Sequence, residues 1–207
     1  MTASFLPTRR LILSCLPALL LSALPFHAGA EEAAATPIFN GKDLTGWVAP
    51  SPNPFWTVTD GVLTGVNDPA KKGSMLKTEK SYGDCELEGE ARWNGDIDSG
   101  FMVRKPELQL QIGTSRSLKT DMTGCFYTGS YPEAGQARER AKLLKIGEWN
   151  HFKLRAKGDT FTVFINGTEA VSYQNAKYAD PAPIGLQIHG GLAMKIEFRN
   201  LKVKELK

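Results

Sequence analysis

From residue 56 onward, the sequence alternates apolar and polar residues in short stretches separated by turn-forming residues. Apolar side chains at every second position bury one face of a β-strand and leave the other face in water. No long stretch has apolar residues at helical spacing, and residues 134–144 are the best helical candidate. The candidate strands are 56–58, 62–64, 74–77, 85–93, 99–104, 107–112, 124–127, 149–156, 160–165, 168–173, 184–189 and 195–205. Strands of this length and spacing predict an all-β sandwich or barrel.

Two dipeptides predict tight hairpin turns between these strands. Asp60-Gly61 and Asn166-Gly167 each lie between alternating stretches. Asn, Asp and Gly tolerate the positive φ angles that two-residue hairpins require. Asn166-Gly167-Thr168 also matches a glycosylation sequon, but we interpret it as a turn.

Residues 1–30 have the composition of a secretory signal peptide. Arg9 and Arg10 precede an apolar stretch from residue 11 to 26, and Ala28-Gly29-Ala30 resembles a cleavage site. The stretch is short and interrupted by proline, which disfavours a membrane span. Cys15 lies inside it, which disfavours a lipid anchor, and the signal fits either general or twin-arginine export. We therefore predict export to the periplasm or beyond, a mobile lead-in over residues 31–37, and one domain over 38–207.

Charge and cysteine content narrow the choice of partners. The chain has 25 basic and 22 acidic residues, and two of the basic ones are Arg9 and Arg10, so the mature charge is near +1. Such a balance gives no electrostatic reason to expect nucleic acid as a partner.

In an oxidising compartment Cys85 and Cys125 could form a disulfide, or they could be two separate buried thiols.

The outward faces of several candidate strands carry an unusual set of polar side chains. The residues at these outward positions are Arg104, Glu107, Gln109, Gln111, Gln187, His189, Glu197 and Arg199. Any antiparallel sheet with one wet face alternates in this way, but such faces are usually richer in Thr, Lys and Ser. Planar donors and acceptors beside an aromatic ring are typical of sugar sites, and Trp93, Tyr127 or Tyr131 could supply the ring. The pattern predicts a carbohydrate-binding face.

Single residues near this face leave alternatives open. His189 precedes Gly190-Gly191, where small residues let a ligand approach the backbone, although it could be a plain surface histidine. His151 follows Trp149-Asn150 at a strand start and is interpreted as structural. Asp96 and Asp98 could bind calcium, although two acids in a Gly-containing loop more often form a turn.

Several segments together resemble one known family. They are Phe39-Asn40-Gly41-Lys42-Asp43-Leu44-Thr45-Gly46-Trp47, Asp98-Ser99-Gly100-Phe101 with Arg104, Glu107-Leu108-Gln109, Gly147-Glu148-Trp149-Asn150, Ile165-Asn166-Gly167, Gly185-Leu186-Gln187-Ile188-His189-Gly190 and Glu197-Phe198-Arg199-Asn200-Leu201. In this order they resemble the 3-keto-disaccharide hydrolases, also described as 3-keto-glucoside lyases and hydratases, over about residues 38–206. The resemblance implies a concanavalin A-like jelly-roll sandwich with a carbohydrate site on its concave sheet. It also implies cleavage of glycosides oxidised to a ketone at sugar carbon 3. Members often carry an acid shortly after Glu-x-Gln, and this chain has none there.

The resemblance and the strand faces together suggest roles for individual residues. His189 or Glu107 would be the base, and Arg104 would stabilise an enolate oxygen. A divalent metal ion held by Glu107 and His189 is the alternative to Arg104. Substrate contacts are expected from Gln109, Gln111, Gln187, Trp93, Tyr127, Glu197 and Arg199. A non-catalytic carbohydrate-binding module is the rival interpretation, because the same face would serve it.

Overall fold

The strands form two antiparallel sheets in the part of the chain that the computed structural model describes, residues 1–2 and 34–207. The strands are β1 (Thr36–Pro37), β2 (Trp47–Val48), β3 (Trp56–Thr59), β4 (Val62–Val66), β5 (Ser74–Tyr82), β6 (Cys85–Trp93), β7 (Asp98–Val103), β8 (Leu108–Gly113), β9 (Phe126–Tyr127), β10 (Asn150–Lys157), β11 (Thr160–Ile165), β12 (Thr168–Gln174), β13 (Ala182–Ile188) and β14 (Lys195–Glu205). The larger sheet has the order β12-β11-β10-β6-β14-β4-β3, with β1 also paired to β14. The smaller sheet has the order β2-β5-β13-β7-β8-β9.

Aromatic side chains join the two sheets through a shared core. The ring of Phe101 on β7 lies 5.7 Å from that of Phe198 on β14, and the ring of Phe126 on β9 lies 6.1 Å from that of Phe161 on β11. Both contacts run from one sheet to the other, and each ring removes a large apolar area from water. The predicted all-β jelly-roll sandwich of two antiparallel sheets is therefore confirmed.

Helical structure is short in the described residues. A 3₁₀ turn covers Glu133–Gly135 and α1 covers Arg140–Leu143, so the candidate segment 134–144 is helical only at its two ends. Among the described residues, no helix has the length and hydrophobicity that crossing a membrane requires. The predicted signal peptide lies outside the described residues, except for its first two.

Two strands near the N-terminus were not predicted from the sequence. Thr36–Pro37 was expected in a mobile lead-in but pairs with β14, opposite Val203 and Lys202. The pairing occupies the side of β14 where β4 has already ended, since β4 pairs only with Lys195 to Phe198. Trp47–Val48 pairs with β5 at the edge of the smaller sheet.

The two cysteines are free thiols in different parts of the fold, which corresponds to the alternative of two separate buried thiols. Cys85 begins β6 in the larger sheet, where it lies opposite Ala156. Cys125 precedes β9 of the smaller sheet, and its sulfur accepts hydrogen bonds from the Ala137 backbone and the Arg140 side chain. Burial raises the pKa of the Cys85 thiol to about 11.

Candidate functional site

Three neighbouring strands of the smaller sheet bring polar side chains together on its outer face. Gln187 of β13 lies opposite Gly100 of β7, and Gly100 lies opposite Gln111 of β8. On the next row, Met102 of β7 lies opposite Gln109 of β8. Residues directly opposite each other in a sheet project from the same face. The three glutamines therefore gather on one surface, away from the core.

Glycine gives this surface its depth. A Cβ atom at Gly100 would lie 2.4 Å from the Leu110 carbonyl oxygen and 3.0 Å from the side chain of Gln109. Only a glycine therefore lets Gln109 lie across β7. The result is a small hollow of about 200 Å³ over β13, β7 and β8, which we call the hollow. Its size suits a single ring, since pockets for larger ligands are about 300–1,000 Å³.

The glutamines form one hydrogen-bonded series that ends at a buried acid. Gln111 Nε2 donates to Asp98 Oδ1 over 2.9 Å. Gln109 Nε2 donates to Gln111 Oε1 over 2.7 Å and to Gln187 Oε1 over 3.0 Å. Asp98 begins β7 and is 5% exposed. We call Gln111, Gln109 and Gln187 the glutamine chain.

His189 lines the hollow directly after β13 and is held on several sides. Its backbone nitrogen donates to the carbonyl of Asp98, and its carbonyl accepts from Asn67 Nδ2. Its ring Nδ1 lies 2.7 Å from the carbonyl oxygen of Gly190. A carbonyl oxygen only accepts, so Nδ1 carries the proton and Nε2 of the neutral ring is an acceptor.

The histidine segment also packs against the start of β5, backbone to backbone. A Cβ atom at Gly73 would lie 2.8 Å from the carbonyl oxygen of Ile188 and 2.9 Å from the nitrogen of Gly190. The nitrogen of Gly191 donates to the carbonyl of Lys71 over 2.8 Å. These contacts fix the backbone on either side of His189.

A loop after β8 forms one wall of the hollow and is anchored through Arg116. Its guanidinium makes two hydrogen bonds to the carboxylate of Asp96, at 2.7 and 2.9 Å, and its backbone nitrogen donates to Asp98 Oδ2. Paired guanidinium–carboxylate bonds of this kind fix geometry as well as charge. The loop therefore holds Arg116, paired with Asp96, beside the hollow.

Two tyrosines form the apolar wall. The rings of Tyr127 and Tyr131 lie 5.0 Å apart, and both line the hollow. Burial raises the pKa of Tyr131 to about 12, so its hydroxyl stays protonated at neutral pH. An aromatic wall facing amides and a histidine can hold the apolar face of a sugar ring while the polar groups bind its hydroxyls.

The structure brings together six of the residues proposed from the sequence for the carbohydrate face. The residues that line the hollow are Gln109, Gln111, Gln187, His189, Tyr127 and Tyr131. Glu107 does not line the hollow, and its half-exposed carboxylate binds Lys77 Nζ over 2.6 Å.

Arg104 also lies outside the hollow, contrary to its predicted direction. Its φ angle of +64° breaks the alternation of β7 and turns the side chain inward, where it is 3% exposed. There it donates to Asp84 Oδ1 over 2.7 Å and to the carbonyl of Ala179 over 3.1 Å.

Trp93, Glu197 and Arg199 belong to the larger sheet and do not reach the hollow. Trp93 shares the buried side of β6 and contacts Phe152 in the core. Glu197 pairs with Arg92, and Arg199 with Glu90, on the outer face of the larger sheet.

No cluster of three or more His, Cys, Asp or Glu residues able to hold a metal ion occurs among the described residues. Glu107 and His189 are therefore not joined by a further ligand of these types, and Asp96 and Asp98 bind Arg116 instead.

The hollow includes residues that were not assigned to it from the sequence. These are Asp98, Ser115, Arg116 and Ser117. Asp98 was visible as the residue two before Gly100, which gives it the same strand face. The loop residues follow no strand alternation, so no periodic signal could assign them.

Comparisons with known proteins show the family and the fold. The model of the 3-keto-alpha-glucoside-1,2-lyase-like domain matches residues 34–204. No curated protein sequence matches the chain.

Solved structures share the fold at low sequence identity. A candidate glycosyl hydrolase from Parabacteroides distasonis is 24% identical with a TM-score of 0.63, over 84% of this chain and 100% of that one. The carbohydrate-binding module CBM66 from Bacillus subtilis is 16% identical with a TM-score of 0.59, over 79% and 98%. A Bacillus subtilis protein of unknown function with a galectin-like fold is 12% identical with a TM-score of 0.62, over 84% and 97%.

Proposed function

Since the chain belongs to the 3-keto-alpha-glucoside-1,2-lyase-like domain family, we propose that it binds and cleaves glycosides carrying a ketone at sugar carbon 3. The observation that supports this most is the hollow, where the glutamine chain, His189 and two tyrosines face one ring-sized space. A carbohydrate is the ligand class for which amides, a histidine and aromatic rings are the matching groups.

The chemistry follows from the acidity that a ketone gives to its neighbouring carbon. A base removes the proton on C2, the electron pair forms a C1–C2 double bond, and the C1–oxygen bond breaks. The departing oxygen takes up a proton and leaves as an alcohol. Water then adds its hydroxyl to C1 and its proton to C2. The net reaction is hydrolysis, and it does not need the paired carboxylates of ordinary glycosidases.

Groups around the hollow match the needs of this reaction. His189 Nε2 is the base, because Nδ1 is occupied by the carbonyl of Gly190. Gln187 Nε2 donates to the C3 oxygen, where negative charge develops. The guanidinium of Arg116 lies at the same wall, where it is paired with Asp96. Glu107 and Arg104, outside the hollow, have no part in this scheme.

The experiment compares turnover of a 3-keto-glucoside by the wild type and by His189→Ala. Loss of a general base typically lowers the rate about 10²–10⁴-fold. His151→Ala is the matched control, because His151 lies in the larger sheet beside Glu88 and away from the hollow. Unchanged turnover in His189→Ala would contradict the role of His189, and no turnover by the wild type would contradict the reaction.

A non-catalytic carbohydrate-binding module is the second candidate. Asp98 is the acid that lines the hollow, and both its oxygens already accept hydrogen bonds, from Gln111 and Arg116. A site with its carboxylate so engaged suits binding without proton transfer. Saturable binding of a 3-keto-glucoside with no product formed would favour the module.

We further propose that the domain works outside the cytoplasm, in the periplasm or the extracellular medium. The support is the composition of residues 1–30, with Arg9 and Arg10 ahead of an apolar stretch and Ala28-Gly29-Ala30 at its end. N-terminal sequencing of the protein from a native-like host is expected to begin at Glu31. An uncleaved N-terminus in a cytoplasmic fraction would contradict export.

A further inference from the structure

We propose that Asp98 is a positioning residue whose carboxylate orients the glutamine chain, so that a donor rather than an acceptor meets the ligand's ketone. The identity of the ligand rests on the proposed function. The orientation itself rests on hydrogen bonds within the protein.

The orientation of the amides in the glutamine chain is set first at Asp98. A carboxylate oxygen only accepts, so Gln111 must present Nε2 to Asp98 and therefore turns Oε1 the other way. That oxygen accepts from Gln109 Nε2. The neighbouring carbonyl of Ser99, 3.3 Å from Gln109 Nε2, favours the same orientation of Gln109.

Gln109 in turn sets the amide orientation of Gln187, the last residue of the glutamine chain. Gln109 Nε2 has two hydrogens, and its shorter bonds run to Gln111 Oε1 and Gln187 Oε1. Gln187 thus uses its oxygen inside the chain and keeps its Nε2 donor unused. Gln109 keeps its Oε1 acceptor unused. The orientation of Gln109 is thus set by Asp98 through Gln111, together with the Ser99 carbonyl, and Gln187 takes its orientation from Gln109.

The two unused atoms are open to a ligand. Within the described residues, Arg104 Nε is the side-chain nitrogen or oxygen that is both fully buried and without a hydrogen-bond partner. Gln187 Nε2 and Gln109 Oε1 also have no partner. Since neither of them is fully buried, solvent reaches both. They lie on neighbouring side chains that line the hollow.

This pair of atoms fits a ketone beside a hydroxyl. A ketone oxygen can only accept, and Gln187 Nε2 offers it a hydrogen. A neighbouring hydroxyl can donate to Gln109 Oε1. With the chain reversed, the oxygen of Gln187 would face the ketone oxygen, and a buried acceptor would be left unpaired, which is costly. A hydroxyl at the same carbon could still donate to it.

Asp98→Asn reverses the chain with almost no change in shape. The backbone nitrogen of Arg116 donates to Asp98 Oδ2 over 3.1 Å, and Arg116 Nε lies 3.6 Å from the same oxygen. These donors select the oxygen of an asparagine for that side, so its amide nitrogen must face Gln111. Gln111 then presents Oε1 to it and Nε2 to Gln109. Gln109 turns its Oε1 toward Gln111 and gives up its longer bond to the Ser99 carbonyl, 3.3 Å against 2.7 Å for the bond to Gln111.

The experiment uses a ligand pair that differs only at carbon 3 and has no aglycone to lose. Isothermal titration calorimetry measures Kd for 1,5-anhydro-3-keto-glucitol and for 1,5-anhydroglucitol. We expect Asp98→Asn to weaken binding of the keto compound at least tenfold relative to the hydroxy compound. Gln187→Glu, which replaces the free donor by an acceptor, should shift the ratio in the same direction. Asp60→Asn is the control and should leave the ratio unchanged, because Asp60 lies in the turn between β3 and β4 of the larger sheet.

The outcomes separate this inference from the proposed function. If Asp98→Asn weakens both ligands equally, Asp98 is only structural and the inference fails. Gln187→Glu decides the question if Asp98→Asn does not fold, and an unchanged ratio there also overturns the inference. Failure of the wild type to bind either compound overturns it as well. If the ratio shifts as expected but no 3-keto-glucoside is cleaved, the orientation stands and the proposed reaction fails.

Discussion

At the scale of single residues, Arg104 is the charge that the fold buries most deeply. Its partner Asp84 accepts a hydrogen bond from Arg104 and another from the backbone of Gly158, which ties the end of β7 to two turns. The bond from Arg104 is the main reason that the pKa of Asp84 is lowered. Removing the acid would leave a buried guanidinium without its counter-charge.

We expect Asp84→Asn to lower the free energy of unfolding by about 2–3 kcal/mol at pH 7, since Asp84 is itself about one-third exposed. Because the folded pKa of Asp84 lies below the unfolded value, its stabilisation is complete above about pH 3.8 and is lost as the pH falls further. Urea unfolding of both proteins at pH 7 and near pH 2.5 measures the change. A difference that stays constant down to pH 2.5 would contradict the assignment.

At the scale of elements, two hairpin turns with similar sequences differ in the hydrogen bonds that their side chains make. Asp60-Gly61 joins β3 to β4 and Asn166-Gly167 joins β11 to β12, and all four φ angles lie between 49° and 84°. The side chain of Asn166 also accepts from the backbone of His151 and donates to the carbonyl of Leu143. Asp60 has no such side-chain bond among the described residues.

Replacing each first turn residue by glycine should separate turn geometry from hydrogen bonding. Glycine keeps the positive φ, so Asp60→Gly should change the free energy of unfolding by less than about 0.5 kcal/mol. Asn166→Gly should cost about 2 kcal/mol, because it removes hydrogen bonds to two partly buried segments. Thermal unfolding of the two variants provides the comparison. Equal effects would mean that Asn166 acts through its backbone alone.

Strand alternation explains both the successes and the errors in predicting the site. It correctly gave Gln109, Gln111, Gln187 and His189 one common direction. It also holds along β6, where Trp93 shares the buried side of Leu87, so the sequence contained the signal that Trp93 faces the core. Alternation failed at Arg104, because a positive φ is a local departure from strand geometry that side-chain pattern does not reveal.

At the scale of the whole molecule, alternation separates inside from outside but does not say which sheet a strand joins. Glu197 and Arg199 do point outward, but from the larger sheet, where β14 pairs with β6. That pairing joins residues more than one hundred positions apart, and no local signal specifies it. The fold class could therefore be predicted from the sequence. Which residues line the hollow could not be predicted, because that depends on the order of the strands in each sheet.

The free thiols give a prediction for the folded molecule as a whole. Cys85 and Cys125 are buried, and burial raises the pKa of both thiols, which keeps them protonated and unreactive. Ellman's reagent at pH 8 should therefore label neither of them in the native protein produced without residues 1–30, and both of them in 6 M guanidinium chloride. Rapid labelling before unfolding would contradict their burial, and no labelling in denaturant without reductant would indicate a disulfide.

The backbone contact between Gly73 and the His189 segment has a consequence for how this protein can change over time. Any side chain at position 73 would press on Ile188 and Gly190, and so would displace a histidine 116 positions later in the chain. Substitutions at Gly73 are therefore not expected to be neutral, although Gly73 itself does not line the hollow. In a saturation scan selected for sugar binding, Gly73 should be as intolerant as the glutamines themselves.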